Sequence, residues 1–422
     1  MNLLLMILLL YCAIQVFENI FSYINLRYLA RHGAEIPAEF VGHLDEKTLQ
    51  QMRDYSLAHG KVNFLSSFSD IVITIAFLFC GILNWYNNLL LNLQWPFLAT
   101  AIPFFLLLTY GETILKLPFS YYNTFHIEQH FGFNTQTIRL WITDIFKSLL
   151  LMTLLYGLLL SGTFWIIQTF PDGWWIIVWF FVLAFTIFTM YLSPYVIEPL
   201  FNKFTPIEQE SLEARIKETM LKAGLSITRV STMDASKRST HGNAYFTGIG
   251  HVKRIVLFDT LIKNNSEDEL VGILAHEAGH WKKKHILKRL IFTEIMAFCG
   301  LYVAYLLTRS DRLTDIFGIS QPTMQAKLLL VGFLASLILF PLKPLSSYLS
   351  RKHEREADDF AAELTKNSTA LADALVKLGK DNLANLHPHP WYAAFYYSHP
   401  PLTQRIRYLN SLAKPGERAA KG

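Results

Sequence analysis

The residues best suited to chemistry lie in the run His276-Glu277-Ala278-Gly279-His280. Two histidines at i and i+4 project from one helix face and can bind a single zinc ion. Glu277 sits a fraction of a turn round from His276 and could take a proton from a water that the metal activates. HExxH is short enough to recur by chance, so its surroundings must support it. Ser266 and Glu269 have capping-box spacing, and Leu270, Ile273 and Leu274 follow with helical periodicity, so residues 266–285 read as a helix. A catalytic zinc site takes three protein ligands and keeps one position open. The longer HExxHxxGxxH continuation is absent, because Lys283 and Ile286 stand where its glycine and third histidine belong. His285, five residues past His280, points off the ligand face of a continuous helix.

The third ligand must come from elsewhere, and Glu354-Arg355-Glu356-Ala357-Asp358 is the best source. At about 100° per residue, Glu354 and Asp358 fall within about 40° of each other, on the side of Ala357, Ala361 and Leu364. Arg355, Glu356, Asp359 and Glu363 cluster on the opposite, solvated side. A carboxylate on the packed stripe needs a partner, and a metal is one. On this reading Glu354 is the third ligand, with Glu356 the competing choice. Asp358 could accept a hydrogen bond from a ligating histidine and fix its tautomer.

These residues belong to a very apolar chain. Of its 422 residues 52% are hydrophobic and 17% charged, against about 25% charged in soluble domains, and the mean hydropathy is +0.27. A disordered chain and an ordinary soluble enzyme are both excluded, leaving a membrane protein. A net charge of +5 is no nucleic-acid signature at this length. Cys12, Cys80 and Cys299 form no CxxC pair, so neither a disulfide framework nor a thiolate metal site is expected.

Seven segments are apolar enough to span a bilayer: 3–21, 68–85, 95–110, 148–170, 174–193, 290–307 and 326–345. The first lacks a basic start and a small-residue cleavage site, which reads as an anchor. Lys and Arg concentrate in alternate connections, including Lys282, Lys283 and Lys284 and the tail's Arg351, Lys352 and Arg355. That alternation predicts an outside N-terminus and a cytoplasmic tail. Residues 1–193 then form a membrane region with five spans. Residues 194–422 form a zinc peptidase domain, whose polar pieces 194–289 and 346–422 meet on the cytoplasmic side around the sixth and seventh spans.

With these motifs in order, the chain resembles the integral-membrane CAAX prenyl endopeptidases of the Ste type. His126-Ile127-Glu128-Gln129-His130-Phe131-Gly132-Phe133-Asn134 and the run from Pro194 to Phe204 are similar to cytoplasmic segments of that family. Gly242-Asn243-Ala244-Tyr245-Phe246-Thr247-Gly248 resembles its substrate strand, and Ser398-His399-Pro400-Pro401 with Arg405 its C-terminal signature. The resemblance implies an all-α membrane protein of seven helices around a water-filled chamber, with a cytoplasm-facing zincin domain carrying a small β element. It implies one zinc ion on His276, His280 and Glu354, Glu277 as general base, and contacts from Asn243 and His399 to the substrate or its transition state. The family's eukaryotic members clip three residues from prenylated CAAX proteins, so a peptide or protein substrate, C-terminally lipidated ones included, is implied beside membrane lipid.

The residues themselves allow these roles without requiring them. Asn243 and Ala244 open a strand-like run, 243–247, whose backbone could pair an extended peptide; Asn243 could equally be a turn residue. His399 could donate to a developing oxyanion or be a loop histidine. Arg405 could orient a carboxylate or snorkel. Short loops and the lack of a targeting or retention signal read as bacterial, which suggests the inner membrane and makes a quality-control protease the alternative. An intramembrane-cleaving protease would bury HExxH in an apolar span, whereas charged runs at 263–269 and 282–284 bracket it here. A non-catalytic zinc protein would want a fourth ligand, and no good one is evident.

Overall fold

The computed structural model describes residues 2–247 and 254–413. Among them are seven helices long and apolar enough to cross a membrane: Leu3–His32, Glu46–Phe79, Phe97–Glu128, Ile138–Thr169, Trp174–Phe201, His285–Thr308 and Met324–Thr365. Their number is as expected, but they overrun the apolar segments. The second helix begins at Glu46, far ahead of residue 68, because Asp45 caps it by accepting from Thr48 N–H at 2.7 Å. It also stops at Phe79; Trp85 belongs to a separate short helix, Ile82–Leu91, entered through Gly81 at φ 84°. The third and fifth helices each end in a wide π-helical turn, Asn123–Glu128 and Ser193–Ile197. Apolar windows mark where a helix meets lipid, not where its hydrogen bonds stop.

The seven helices form a ring in chain order. Each packs on the next, and the seventh returns to the first. Only 6–22% of each apolar window is buried, too little for a solid bundle, in which one face of every helix would be covered. The ring is sealed at one end by a packed core that includes Leu83, Phe104, Phe164, Trp174 and Leu330. At its other end lies a second core, which carries the site.

This second core joins Ile255, Leu257, Leu274, Ala361, Leu375 and Ile406 to Phe40, Leu49, Met52 and Phe133. The peptidase end is thus built from residues before 194 as well as from the two polar pieces expected to form it. The overrunning second helix brings the earlier residues there. A four-stranded sheet lies in it: β1 (Phe204–Pro206), β2 (Arg229–Met233), β3 (Ala244–Thr247) and β4 (Arg254–Phe258), ordered β1-β2-β4-β3. β2 and β4 are parallel and the other pairs antiparallel. β3 is an edge strand. Phe258 N–H donates to the Asn243 carbonyl at 3.0 Å. By antiparallel alternation, Ala244 and Phe246 therefore turn their N–H and C=O to the free edge. The HExxH helix, Glu267–Lys282, packs against β3 on one side and along Lys343–Thr365 on the other.

Candidate metal centre and active site

The HExxH helix starts where Ser266 and Glu269 cap each other reciprocally, which sets the phase of its histidines. His276 and His280 bring their Nε2 atoms to 3.2 Å. Glu354, from Lys343–Thr365, places Oε2 3.4 Å from His276 Nε2 and Oε1 3.2 Å from His280 Nε2. Zinc holds N and O ligands at about 2.0–2.1 Å in a tetrahedron, whose edges are then about 3.3–3.4 Å. The His276–His280 spacing fits one such edge, Glu354 meets each histidine through a different oxygen, and one ligand atom from each of the three residues lies within 4.8 Å of the others. Among the described residues these three side chains form the one His/Cys/Asp/Glu group close enough to hold a metal.

The electrostatics agree with the geometry. Glu354 is 4% exposed, and its Oε2 is met only at the longer distances of His276 Nε2, 3.4 Å, and Arg405 Nη1, 3.5 Å. A carboxylate oxygen so buried asks for a cation. Burial pulls the His276 imidazole down, but hydrogen bonds to Asp358 and Glu354 more than reverse this and lift its pKa to about 9. The two carboxylates thus favour a positive charge at His276.

Each histidine has its Nδ1 occupied, which leaves Nε2 for the cage. His276 Nδ1 lies 2.8 Å from Asp358 Oδ1. Asp358 is held in turn by Arg405, whose Nε and Nη2 donate to it at 2.9 and 2.6 Å. Arg405 is buried, and its Nη1 lies 3.5 Å from Glu354 Oε2. It therefore stands behind the ligands rather than at the surface. His280 Nδ1 lies 3.1 Å from His285 Nδ1, and His285 Nε2 lies 3.0 Å from Glu356 Oε2. His353 stacks on the His285 ring at 4.1 Å and 13°.

His285, set aside in the sequence reading, and Glu356, weighed there as the competing ligand, enter the site in a role sequence reasoning missed, as the support of His280. A continuous helix would aim His285 away, but the chain turns at Lys284 (φ 58°, ψ 34°) and His285 opens the sixth membrane helix. No glycine announces that left-handed residue. Glu356, expected on a solvated face, pairs with His285 instead. Lys282, one of the basic residues ahead of the sixth membrane helix, donates to the Ala223 carbonyl at 3.0 Å.

Glu277 is half-buried beside the cage. Burial pushes its carboxyl above the ordinary range, against the pull of His276 and His280. His399 is the exposed member: Nε2 lies 3.3 Å from Glu354 Oε1, with 62% of the side chain open to solvent, and Ser398 Oγ is 2.9 Å from its Nδ1. Asn243 is exposed at the head of β3 and accepts the Ala244 N–H on its own Oδ1 at 2.8 Å.

The two ligand helices meet at Gly279. A Cβ there would stand 2.9 Å from Ala357 Cα and 3.1 Å from its carbonyl oxygen, and neither backbone atom can swing away. Gly279→Ala should force the helices apart, costing about 1–3 kcal/mol of stability, and should loosen metal retention. An unchanged melting temperature and metal content in detergent would contradict this close-approach account.

Comparison with known proteins agrees with this architecture. Residues 25–203 match a family described as the CAAX prenyl protease N-terminal region with five membrane helices, and residues 206–413 match peptidase family M48. CAAX prenyl protease 1 of Saccharomyces cerevisiae is 33% identical, over 94% of this chain and 93% of that protein. Its Arabidopsis thaliana homologue is 35% identical, over 92% and 94%. The crystal structure of S. mikatae Ste24p superposes with a TM-score of 0.89 at 31% identity, covering 96% of this chain and 99% of that one. The ring of helices is thus the chamber-forming membrane fold of that structure. The chain belongs to peptidase family M48, in its CAAX prenyl protease branch, and is a membrane-embedded metalloendopeptidase.

Proposed function

We propose that the protein is a zinc endopeptidase that cuts near the C-terminus of prenylated CAAX proteins. The observation that carries the chemistry is the convergence of His276, His280 and Glu354, one ligand atom from each within 4.8 Å of the others, with the Glu277 carboxylate beside them. The substrate class is supported by the names of its relatives, CAAX prenyl protease 1 and its homologues. On this reading residues 1–193 are the membrane half and residues 194–422 the peptidase half. The active site faces the cytoplasm and the N-terminus lies outside, in a bacterial cell membrane. Short connections and alternating basic segments support that placement.

His276, His280 and Glu354 would hold one zinc ion, which lowers the pKa of a water and polarises the scissile carbonyl. The Glu277 carboxylate removes the proton from the attacking water and hands it to the leaving amine. Its upward shift brings it closer to the pKa of an effective base at neutral pH. His399, at the open side of Glu354, donates to the carbonyl oxygen as charge develops there. The free edge of β3, at the Ala244 carbonyl and at Phe246, takes the substrate backbone as an added strand, and Asn243, whose Oδ1 holds the Ala244 N–H, lies where that strand begins. Asp358 and Arg405 keep His276 and Glu354 oriented.

The test is cleavage of a prenylated CAAX peptide by the purified protein in detergent. Treatment with 1,10-phenanthroline should abolish cleavage, and added zinc should restore it. Glu354→Gln should lose stoichiometric zinc and activity. Glu356→Gln should keep its zinc, with affinity lowered by no more than about 10–100-fold. Zinc loss in Glu356→Gln but not in Glu354→Gln would overturn the ligand assignment. Equal cleavage of prenylated and unprenylated peptides would favour the broader, quality-control substrate range.

A further inference from the structure

Two stretches that the sequence analysis singled out, around Glu128 and Glu198, take no part in the metal site. Both lie at the π-helical turns that end the third and fifth membrane helices. Such turns re-aim side chains and recur at functional positions. Both re-aimed carboxylates reach the segment that leads into β3.

Glu128 gathers three groups. Tyr55 O–H donates to Oε1 at 2.7 Å and His59 Nε2 lies 2.9 Å from the same oxygen, both from the second membrane helix. His241 Nε2, two residues before Asn243, lies 3.3 Å from Oε2. The other nitrogen of His241 lies 2.9 Å from Asn382 Oδ1, and its ring stacks on Phe133 at 4.1 Å and 22°. The chain after Glu128 adds backbone ties: Asn134 pairs with Ser239, and Thr240 N–H donates to the Phe133 carbonyl at 3.1 Å.

Glu198 works from the other side. Its Oε2 accepts the Tyr245 hydroxyl, on β3 itself, at 2.8 Å. Asn202 accepts from Arg238 Nη1 at 3.0 Å, and Arg238 also grips Asp144 of the fourth membrane helix with Nε and Nη2 at 2.8 and 3.0 Å. Residues 238–245 are therefore fastened to three membrane helices, with the second helix supporting Glu128, through groups that do not touch the ligand cage.

An edge strand that accepts a peptide has only one ladder to hold it, and a slip of one residue presents every substrate side chain to the wrong face. We propose that Glu128 and Glu198 are positioning residues that fix β3 at a set height beside the metal-binding helix, so that the membrane helices decide where the substrate backbone runs. This rests on the reading of β3 as the substrate-receiving strand.

The test uses the full-length protein in detergent and a series of prenylated CAAX peptides N-methylated at successive backbone positions. With wild type, methylation should raise KM at alternate positions, the signature of strand addition. Glu128→Gln and Tyr245→Phe should each raise KM for the unmethylated peptide about tenfold, with kcat held within about twofold and zinc content unchanged. Tyr245→Phe removes a single hydroxyl, so it carries the test should Glu128→Gln fail to accumulate. A wild type indifferent to the methylation position would remove the strand reading and this proposal with it. An alternating wild type, with variants that keep wild-type KM or lose kcat alone, would leave the strand and overturn the positioning role.

Discussion

Glu277→Gln is expected to lower kcat by about a thousandfold or more, within the 10²–10⁴ range that a positioned general base contributes, while zinc remains stoichiometric. The substitution keeps the side chain's shape and its place on the helix Glu267–Lys282. It removes only the ability to take a proton. The three cage atoms, His276 Nε2, His280 Nε2 and the Glu354 carboxylate, are untouched by it. Cleavage of a prenylated CAAX peptide, measured with metal content on the same preparation, separates the two effects. A variant that keeps zinc and cuts at the wild-type rate would remove Glu277 from the mechanism. A variant that loses zinc would make it a structural support of the cage instead.

Asp358→Ala should have the second largest effect, and on two readouts together. Asp358 is 1% exposed and holds both His276 Nδ1 and the Arg405 guanidinium. Removing it releases the tautomer of His276, and loss of such an orienting partner costs about 10–100-fold in metal affinity. It also strands the Arg405 charge in the interior, and breaking one side of a buried pair costs about 3–5 kcal/mol. Metal titration should therefore weaken, and the thermal midpoint of the metal-free protein should fall as well. Arg405→Met, which keeps the bulk and removes the charge, should lower stability more than metal affinity, since Asp358 keeps its contact with His276. Wild-type zinc affinity in Asp358→Ala would show that His276 needs no such support.

The chemistry was more legible than its scaffolding. His276, Glu277 and His280 stood out as a motif, and periodicity put Glu354 and Asp358 on one face with Glu356 left as the competing ligand, because a helix fixes which side chains share a face. The seven apolar segments were equally plain, since hydropathy reports directly on lipid contact. What escaped were features decided by long-range packing. Lys284 adopts a left-handed conformation with no glycine to flag it, and that one residue turns His285 back onto His280. The polar half of the helix Glu46–Phe79 carries Leu49 and Met52 into the peptidase core, which no local pattern reveals. Of the sheet, only β3 stood out, through its likeness to a family motif, since all four strands are only three to five residues long. Glu128 and Glu198 could be noticed as parts of motifs, but their partners His241 and Tyr245 lie more than forty residues away.

One feature of the ring ties the cage to its surroundings. His285, which supports His280, opens the sixth membrane helix, and Glu354 lies within the seventh, Met324–Thr365. The tilt of a spanning helix follows the thickness of the hydrocarbon it crosses, at a cost of fractions of a kcal/mol per Å of mismatch. Two sides of the cage are therefore continuous with the ring, Glu354 beyond the tight turn Phe340–Leu342, and packing between neighbouring helices sets their inclination together with the lipid. A change of acyl-chain length is expected to reach the ligand triangle only through that shared packing.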